Sequence, residues 1–337
     1  MTVAVGIIGC GNISRKHVSG YLSVPGQAVI EAVADVDAAT AAARAEQAGG
    51  ARVFTDYLAL LDDPAIDAVD ICLPHHLHAD AIIAAAKAGK HILCEKPLCL
   101  TVEEAGRIAD AVRAADVTLM CAHNQLLMPA VADAKELILS GALGRIHELQ
   151  TTDSFHNDFD PASMGWRAHT ATSGGGELID TGYHPAYLLL HLAGGRPAEV
   201  TAMLSRHRLE FMEGEDSARV LVRFDNGVVG EIVTSWAYDA APFAGKFSVT
   251  GERGSLWSDG TTLHHKERGG ATTVTEYPRL DSVPAVCADF TARIRDGIRP
   301  VHTEQEGTDV LKLILAAYRS AREQRTIAPA GLSGDGR

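Results

Sequence analysis

The sequence predicts an α/β protein with two domains: a doubly wound parallel sheet in the N-terminal part, and a C-terminal α+β part with a large, mostly antiparallel open sheet. Three observations lead to this prediction. The chain has 337 residues, which is more than one hydrophobic core usually serves. Short apolar runs alternate with alanine-rich helical stretches over roughly the first 120 residues. Beyond about residue 124, extended segments of alternating polarity dominate instead.

The first domain is assigned to residues 1–123. Its predicted strands are short, mostly apolar runs separated by helices, which indicates a parallel sheet that is buried on both faces. The predicted strands are 3–9, 29–34, 69–73, 91–94 and 117–122. The predicted helices include 13–22, 38–48 and 78–88, and Gly89 is expected to end the last of these.

The second domain is assigned to residues 124–330. Asn226-Gly227 separates two extended runs and predicts a hairpin, because this pair tolerates the positive φ angles of a tight turn. The predicted strands are 145–155, 200–208, 218–224, 228–237 and 246–251. A helix is expected from about 177 to 192, and a closing helix, 309–324, is expected to pack back on the first domain.

The charge and cysteine content restrict the class of protein. A net charge of −13 argues against binding to nucleic acid or to an anionic membrane surface, since both need a basic face. The N-terminus lacks the features of a signal peptide, and no apolar stretch is long enough to cross a bilayer. The six cysteines are scattered without a Cys-x-x-Cys pair, which is typical of a reducing compartment. We therefore expect a cytoplasmic protein.

A glycine-rich turn, residues 9–14, follows the first predicted strand and opens the first predicted helix. Gly9 permits the tight turn, and Gly11 lets the backbone approach a pyrophosphate at the helix N-terminus. Ser14 stands where a third glycine is usual, and it is small enough for close helix–strand packing. This context predicts a dinucleotide-binding Rossmann domain. The turn residues expected to contact the cofactor are Gly9, Gly11, Asn12 and Ile13.

An acidic residue after the second strand indicates which dinucleotide is bound. Asp35 lies about twenty residues beyond the turn, where a carboxylate can accept both ribose hydroxyls. The same carboxylate would repel the 2′-phosphate of NADP, and no arginine follows it closely. Asp37 is better placed to cap the next helix. The sequence therefore predicts NAD as the cofactor.

Two further segments carry acid–base chemistry. Glu95-Lys96-Pro97 ends a strand at the sheet edge where the nicotinamide is expected. Asp180 and His184 follow a run of three glycines and are four residues apart, so on one helix they would share a face. Alcohol oxidation needs a proton acceptor that works near neutral pH, which suits histidine. An ammonium group near the reacting oxygen stabilises the developing negative charge.

Together these motifs resemble the Gfo/Idh/MocA family, which includes glucose-fructose oxidoreductase and inositol dehydrogenase. The resemblance covers nearly the whole chain and is carried by combined motifs. These are the Gly-Cys-Gly turn, Leu73-Pro74 with His78, Glu95-Lys96-Pro97, Asn124 with Pro129, and the glycine run through Asp180 and His184. The resemblance implies a sugar, sugar derivative or cyclitol as substrate. It also implies a homodimer or homotetramer formed through the open face of the sheet.

The resemblance also implies roles for single residues. Lys96 would lie beside the nicotinamide and hydrogen-bond the reacting oxygen, and His184 would be the general base. Asp180 would orient the substrate hydroxyls and His184. Leu73, Pro74, His78 and Glu95 would line the cofactor site, and Asn124 the substrate site. Many relatives have an arginine shortly after this asparagine, but here the following residues are Gln-Leu-Leu-Met-Pro. The preferred sugar is therefore expected to differ.

Two polar segments remain to be assigned. His75, His76 and His78 suggest a metal, but no second ligand cluster with zinc spacing accompanies them, so no metal site is predicted. His76 is instead expected to line the nicotinamide pocket. A second segment mixes aromatic rings with hydrogen-bonding groups, as polyol pockets do. Its candidate substrate contacts are His156, Asp158, Trp166 and Arg167.

Three functions compete at this point. The first is an NAD-dependent dehydrogenase acting on a secondary hydroxyl of a sugar or cyclitol. The second is an NAD-dependent glycosidase that uses transient oxidation. The third is a non-catalytic regulator that binds NAD or sugar. Because Lys96, Asp180 and His184 are all present, the third is the least favoured.

Overall fold

A computed structural model describes residues 2–241 and 244–332. The chain forms two compact units: residues up to Asn124 together with Asp281–Thr308, and Gln125–Leu280 together with the residues from Asp309 onward. Residues 281–308, which the sequence pattern placed with the second domain, therefore group with the first unit. No helix in the described part of the chain is long and apolar enough to cross a bilayer.

The first unit contains a six-stranded sheet in which every neighbouring pair is parallel. Its strands are β1 Val3–Ile8, β2 Ala28–Ala34, β3 Arg52–Phe54, β4 Ala68–Ile71, β5 His91–Cys94 and β6 Leu119–Cys121. Their order is β3-β2-β1-β4-β5-β6, which confirms the predicted doubly wound sheet. The order reverses between β1 and β4, so the carboxyl ends of these strands form the usual ligand crevice.

Helices connect and cover the strands. Numbered along the whole chain they are α1 Ser14–Leu22, α2 Ala38–Gln47, α3 Tyr57–Leu61, α4 His78–Lys87, α5 Val102–Ala115, α6 Pro129–Leu139, α7 Pro161–Met164, α8 Thr170–Ser173, α9 Glu177–Asp180, α10 Tyr183–Ala193, α11 Ser282–Asp296 and α12 Glu304–Glu323. Helix α11 packs on α1, where a Cβ at Gly20 would lie 2.7 Å from the carbonyl oxygen of Pro284. This close approach explains why α11 belongs to the first unit.

The second unit contains an eight-stranded sheet in the order β14-β13-β12-β11-β7-β10-β9-β8. Its strands are β7 Ile146–Ser154, β8 Pro197–Ser205, β9 Ser217–Phe224, β10 Val229–Ser235, β11 Phe247–Gly251, β12 Gly254–Ser258, β13 Thr262–Glu267 and β14 Thr272–Glu276. Only β7 and β10 pair in parallel, so the expectation of a mostly antiparallel sheet is confirmed. Gly227 has a φ of +89° in the turn between β9 and β10, as the Asn-Gly pair predicted.

The two faces of this sheet differ. In β9 the side chains of Val220, Val222 and Phe224 are buried, whereas those of Arg219, Leu221 and Arg223 are exposed. Helix α10 covers the buried face, where it contacts β7 and β10. The alternation therefore produces one face that belongs to the core and one open face.

The helix expected from about 177 to 192 is interrupted, so the prediction of one continuous helix was wrong. Helix α9 ends at Asp180, and α10 starts at Tyr183. Gly182 bonds back to the carbonyl of Glu177, and a Cβ at Gly182 would lie 2.7 Å from backbone atoms of Leu178. Thr181 and Gly182 keep right-handed helical torsions, so Asp180 and His184 are still separated by about one helical turn.

Candidate active site

The glycine turn connects β1 to α1, and its two glycines have different roles. Gly9 has a φ of +92°, and a Cβ there would lie 2.5 Å from the carbonyl oxygen of Cys72. Gly11 has no atom within 4 Å of the position that its Cβ would occupy. Gly9 is therefore required by the fold. Gly11 leaves an open approach to the start of α1, which is where a pyrophosphate binds.

Two polar side chains hold this turn. The buried hydroxyl of Ser14 donates to the carbonyl of Gly11 at 2.7 Å, which accounts for serine at the third position of the motif. The buried guanidinium of Arg44, on α2, donates to the carbonyls of Cys10 at 3.0 Å and Gly11 at 3.3 Å. Arg44 was not predicted as a site residue, because nothing in the local sequence shows that an arginine of a helix turns inward.

The carboxylate of Asp35 lies beside the turn. It accepts the backbone N–H of Cys10 at 2.8 Å and that of Asp37 at 2.9 Å. Asp37 caps α2 through the N–H groups of Ala39 and Thr40, as predicted. Burial, with Asp35 adding to it, raises the pKa of the Cys10 thiol to about 12, so the thiol stays protonated. The open space at Gly11 and the acid at Asp35 fit the pyrophosphate and ribose of a dinucleotide.

The histidine cluster follows β4. His78 is buried, and its two ring nitrogens lie 2.6 Å from the carbonyl of Pro97 and 2.8 Å from that of Leu73. Burial lowers the pKa of His78 despite these two carbonyls. His78 therefore links the segment after β4 to the segment after β5. The buried Nδ1 of His76 has no hydrogen-bond partner within the described ranges.

Glu95 and Lys96 follow β5 directly. One carboxylate oxygen of Glu95, Oε1, lies 3.0 Å from Nε2 of His17, and the other accepts the backbone N–H of Lys96 at 3.1 Å. The backbone of Glu95 also bonds to the carbonyl of Ile71, at the end of β4. The main chain at Lys96 is thus fixed at the carboxyl edge of the parallel sheet.

In the second unit, His184 contacts a tyrosine one turn further along α10. Its Nδ1 lies 2.8 Å from the hydroxyl oxygen of Tyr187, which also accepts the backbone N–H of Gln125 at 3.0 Å. The two rings meet edge to face with centroids 5.5 Å apart. Tyr187 is completely buried, so it holds the imidazole in a defined orientation. Tyr187 was not among the residues predicted from the sequence.

Three predicted substrate residues come together near the end of α9. Nε of Arg167 donates to Oδ2 of Asp180 at 2.8 Å, and the guanidinium lies 4.2 Å from the ring centroid of Trp166. Asp180 is buried, whereas the Arg167 side chain is 43% exposed. The carboxylate therefore points at a partly open polar surface that is flanked by an aromatic ring.

A second carboxylate, which is half-buried, lies near His184. Asp153, in β7, pairs with Nζ of Lys246 at 3.1 Å and accepts a hydrogen bond from the Gln125 amide at 3.0 Å. Burial alone would raise the pKa of Asp153, but Lys246, His184 and Gln125 together hold it below its ordinary value. Lys246 thus places a positive charge beside Asp153 in the second unit. No arginine directly follows Asn124 in this chain.

The other predicted substrate residues have different surroundings. His156 and Asp158 contact each other at 3.1 Å on an exposed loop, and Arg208 donates to Asp158 at 2.7 Å. The hydrogen bonds of His156 and Arg208 lower the pKa of Asp158. In the first unit, the side-chain amide of Asn124 donates to the hydroxyl of Ser282 at 2.7 Å.

The glycine run before α9 allows close packing within the second unit. A Cβ at Gly176 would lie 2.0 Å from the carbonyl oxygen of Glu215, and one at Gly175 would lie 2.1 Å from the hydroxyl of Tyr318. This contact places Glu177 inside the unit, where Thr234 donates to one of its oxygens. The other oxygen, Oε2, is buried without a hydrogen-bond partner among the residues that the structure describes.

Glu177 predicts a specific dependence of stability on pH. Burial, reinforced by Glu215, raises the pKa of Glu177 well above its ordinary value of 4.5, so the folded protein keeps a proton that the unfolded chain releases. Stability should therefore fall as pH rises above 4.5, by at most about 1.4 kcal/mol per pH unit from this group. We expect Glu177→Gln to weaken this dependence in urea unfolding between pH 5 and 8, whereas the exposed control Glu210→Gln should not. If the free energy of unfolding changed with pH equally in Glu177→Gln and in wild type, the prediction would be contradicted.

The sequences of known protein families agree with the geometry of the site. Residues 3–123 match the sequence model of the Gfo/Idh/MocA oxidoreductase family with an NAD-binding Rossmann fold. Residues 131–257 match that of the Gfo/Idh/MocA C-terminal domain.

Two curated proteins and one solved structure illustrate the similarity. The levoglucosan dehydrogenase of Pseudarthrobacter phenanthrenivorans is 32% identical over 330 residues, covering 89% of this chain and 80% of that protein. The myo-inositol 2-dehydrogenase of Thermotoga maritima is 27% identical over 338 residues, covering 96% of this chain and 97% of that protein. A structure of levoglucosan dehydrogenase in complex with NADH and levoglucosan has a TM-score of 0.87 at 28% identity, covering 97% and 99% of the two chains. With the glycine turn and Asp35 in place, this chain belongs to the Gfo/Idh/MocA family and is an NAD-dependent oxidoreductase.

Proposed function

We propose that the protein oxidises a secondary hydroxyl of a sugar, sugar derivative or cyclitol. The observation that carries this proposal is the pair of polar groups in the second unit: the oriented imidazole of His184, and the Asp180 carboxylate with its Arg167 partner. Carboxylate, guanidinium and indole groups are the surfaces that bind polyols. Bound NAD supplies the acceptor for the hydride. The levoglucosan and inositol dehydrogenases among the relatives support this substrate class.

His184 is the proposed general base. With its hydrogen on Nδ1, the neutral ring donates to the Tyr187 oxygen and keeps Nε2 as the basic atom. Nε2 then takes the proton of the substrate hydroxyl as the carbon gives up its hydride. Lys96 is proposed to donate a hydrogen bond to the same oxygen, which lowers the cost of the charge that develops there.

The remaining contacts are proposed to orient the substrate. Asp180 accepts hydrogen bonds from neighbouring hydroxyls while Arg167 keeps the carboxylate in place. The Asp153–Lys246 pair offers both an acceptor and a donor to a substrate hydroxyl. His156, Asp158, Trp166 and Asn124 stay proposed substrate contacts. The residues that stay proposed cofactor contacts are Asn12, Ile13, Leu73, Pro74, His76, His78 and Glu95.

Tyr187→Phe tests the proposed base directly. Loss of the hydroxyl removes the partner of Nδ1, so the ring loses its fixed tautomer, and we expect kcat to fall about tenfold to a hundredfold. The Kd for NAD should stay unchanged, because Tyr187 lies in the second unit and NAD binds the first. Steady-state kinetics across pH and calorimetric titration with NAD measure the two quantities. A kcat equal to wild type would remove Tyr187 from the mechanism.

A substrate panel tests the proposed class. Purified protein with NAD is mixed with inositols, aldoses, anhydro sugars, sugar phosphates and glycosides, and NADH is followed by its absorbance. We expect NADH to form with at least one cyclic polyol or sugar. Failure with every compound would contradict the proposal. Release of sugar from a glycoside without net NADH would favour a glycosidase that uses transient oxidation.

The open sheet face is proposed to form a homodimer or homotetramer interface. Leu221 and Met203 are 52% and 76% exposed on this face, beside the ion pairs Arg219–Glu231 and Arg223–Glu199. Apolar side chains within a ring of paired charges are typical of interfaces between subunits. Light scattering should give a dimer or larger species for wild type and a smaller species for Leu221→Arg. A monomeric wild-type protein would contradict the proposal.

The proposed location is the cytoplasm. All six cysteines are free and buried, as expected for a protein kept in a reducing compartment. Fractionation of the cells that express the protein would test this.

A further inference from the structure

We propose that His17 is a positioning residue for the reaction: held between the carboxylates of Asp70 and Glu95, it fixes Glu95 and, through it, the main chain that presents Lys96. This inference rests on the role of Lys96 in the proposed function. It assigns a purpose to a buried charged cluster that the reaction itself does not use.

His17 is enclosed between two carboxylates. The residue lies in α1, and its side chain is completely buried. Nδ1 lies 2.8 Å from Oδ2 of Asp70, in β4, and Nε2 lies 3.0 Å from Oε1 of Glu95. Both ring nitrogens thus face carboxylate oxygens. Each bond needs a hydrogen on nitrogen, so the arrangement fits an imidazolium with two charge-assisted hydrogen bonds.

The carboxylate of Glu95 connects His17 to Lys96. The Glu95 oxygen that does not face His17 accepts the backbone N–H of Lys96. One carboxylate therefore joins a side chain of α1 to the main chain of the lysine. The same helix begins at the glycine turn, so the cluster links the pyrophosphate-binding end of the unit to the Lys96 segment. Buried networks of this kind restrict their members to one arrangement.

The neighbouring groups leave His17 as the cation of the cluster. Cys72, directly after β4, and Cys287, from α11, face His17 in addition to the two carboxylates, and Tyr21 from α1 faces Asp70. Burial raises the pKa of each of these three groups, so all stay neutral. Burial is the largest single influence and by itself would lower the pKa of His17, but the charge and hydrogen bond of Asp70, together with the two neighbouring sulfur groups, raise it.

A metal is the competing explanation of the cluster. Ligand atoms of His17, Asp70 and Cys72 all lie within 4.8 Å of one another. The imidazole already has hydrogen-bonding distances to carboxylates on both nitrogens, which a protonated ring satisfies without an ion. Metal analysis of the purified protein should find no stoichiometric metal. A bound metal that a chelator removes together with activity would overturn the proposal.

A double-mutant cycle separates positioning from a merely structural role. His17→Gln and Glu95→Gln should each lower kcat at least tenfold in an otherwise wild-type protein, with the KM for the polyol within threefold. Combined with Lys96→Ala, neither change should cause a further loss, because both act through Lys96. Ser19→Ala, on the exposed side of α1, is the matched control and should leave kcat unchanged.

The outcomes are distinct. Equal losses in the wild-type and Lys96→Ala backgrounds would overturn the proposal, since they indicate a general structural effect. Wild-type kcat in both single variants would overturn it as well. If Lys96→Ala itself leaves turnover intact, the proposed role of Lys96 has failed instead. Glu95→Gln keeps the size of the side chain and preserves the test if His17→Gln does not fold.

Stability against pH gives a second readout. A raised pKa means that the folded protein holds a proton that the unfolded chain loses above pH 6.5, the ordinary value for histidine. The folding equilibrium constant should therefore fall, by up to about tenfold per pH unit above this value. His17→Gln should lack this component, and Ser19→Ala should keep it. If the folding equilibrium constant fell equally with pH in wild type and in His17→Gln, His17 would not be the protonated group of the cluster.

Discussion

Turnover of Lys96→Ala is expected to fall about 10²- to 10³-fold below wild type, the loss typical of removing one donor to a developing oxyanion. Lys96 follows β5 at the carboxyl edge of the parallel sheet, and Glu95 fixes its main chain. Loss of the ammonium removes a charge that acts in the transition state, so kcat should fall far more than the affinity for NAD. Steady-state kinetics and calorimetric titration separate the two.

A matched control distinguishes this from a general effect of losing a surface charge. Lys87 lies in the last turn of α4 and is exposed, so Lys87→Ala should retain wild-type kinetics. Lys96→Arg adds a second comparison, because it keeps the charge but changes its shape and reach. If Lys96→Ala turned over at the wild-type rate, the lysine would have no part in the chemistry.

The second large effect is expected at the glycine turn. Gly11→Ala should weaken NAD binding at least about tenfold, since a methyl group there enters the space that a pyrophosphate needs. The fold should be unaffected, because no protein atom lies within 4 Å of the new Cβ. NAD titration and thermal unfolding test the two halves of the prediction.

Two other glycines provide the comparison. A Cβ at Gly106, in α5, also meets nothing within 4 Å, so Gly106→Ala should preserve NAD affinity and should not lower stability, since alanine favours the helix over glycine. Gly9→Ala should instead destabilise the protein, because its Cβ would overlap the backbone of Cys72 at a φ of +92°. Unchanged NAD affinity in Gly11→Ala would place the dinucleotide elsewhere.

The sequence predicted most strands of the first unit because their signals are local. The strand β5 is bounded as expected, since a short, mostly apolar run flanked by glycine and a charged segment has few alternatives. The last strands of the second sheet were missed. Every residue of β14 is exposed, so it has no hydrophobic alternation that periodicity could detect. The break after α9 depends on the contacts of Gly182 within the fold, which spacing alone does not reveal.

Contacts between residues far apart in the sequence also limited how much of the site could be predicted. Gly9, Gly11 and Asp35 belong to one motif of fixed spacing, so one sequence is enough to identify them. His17 and Glu95 are 78 positions apart, and Lys246 and Asp153 are 93 apart. A single sequence gives no reason to pair such residues. Tyr187 lies only three residues from His184. Because its immediate neighbours are apolar, the sequence pattern predicts a core residue at this position.

Reaction stoichiometry tests the central claim most directly. The best polyol from the substrate panel is incubated with wild-type protein and NAD, and both NADH and the oxidised product are quantified. We predict one NADH for each carbonyl group formed at a former secondary alcohol, with both lost in Lys96→Ala. Products that form without equivalent NADH, or NADH formation that survives in Lys96→Ala, would contradict the account.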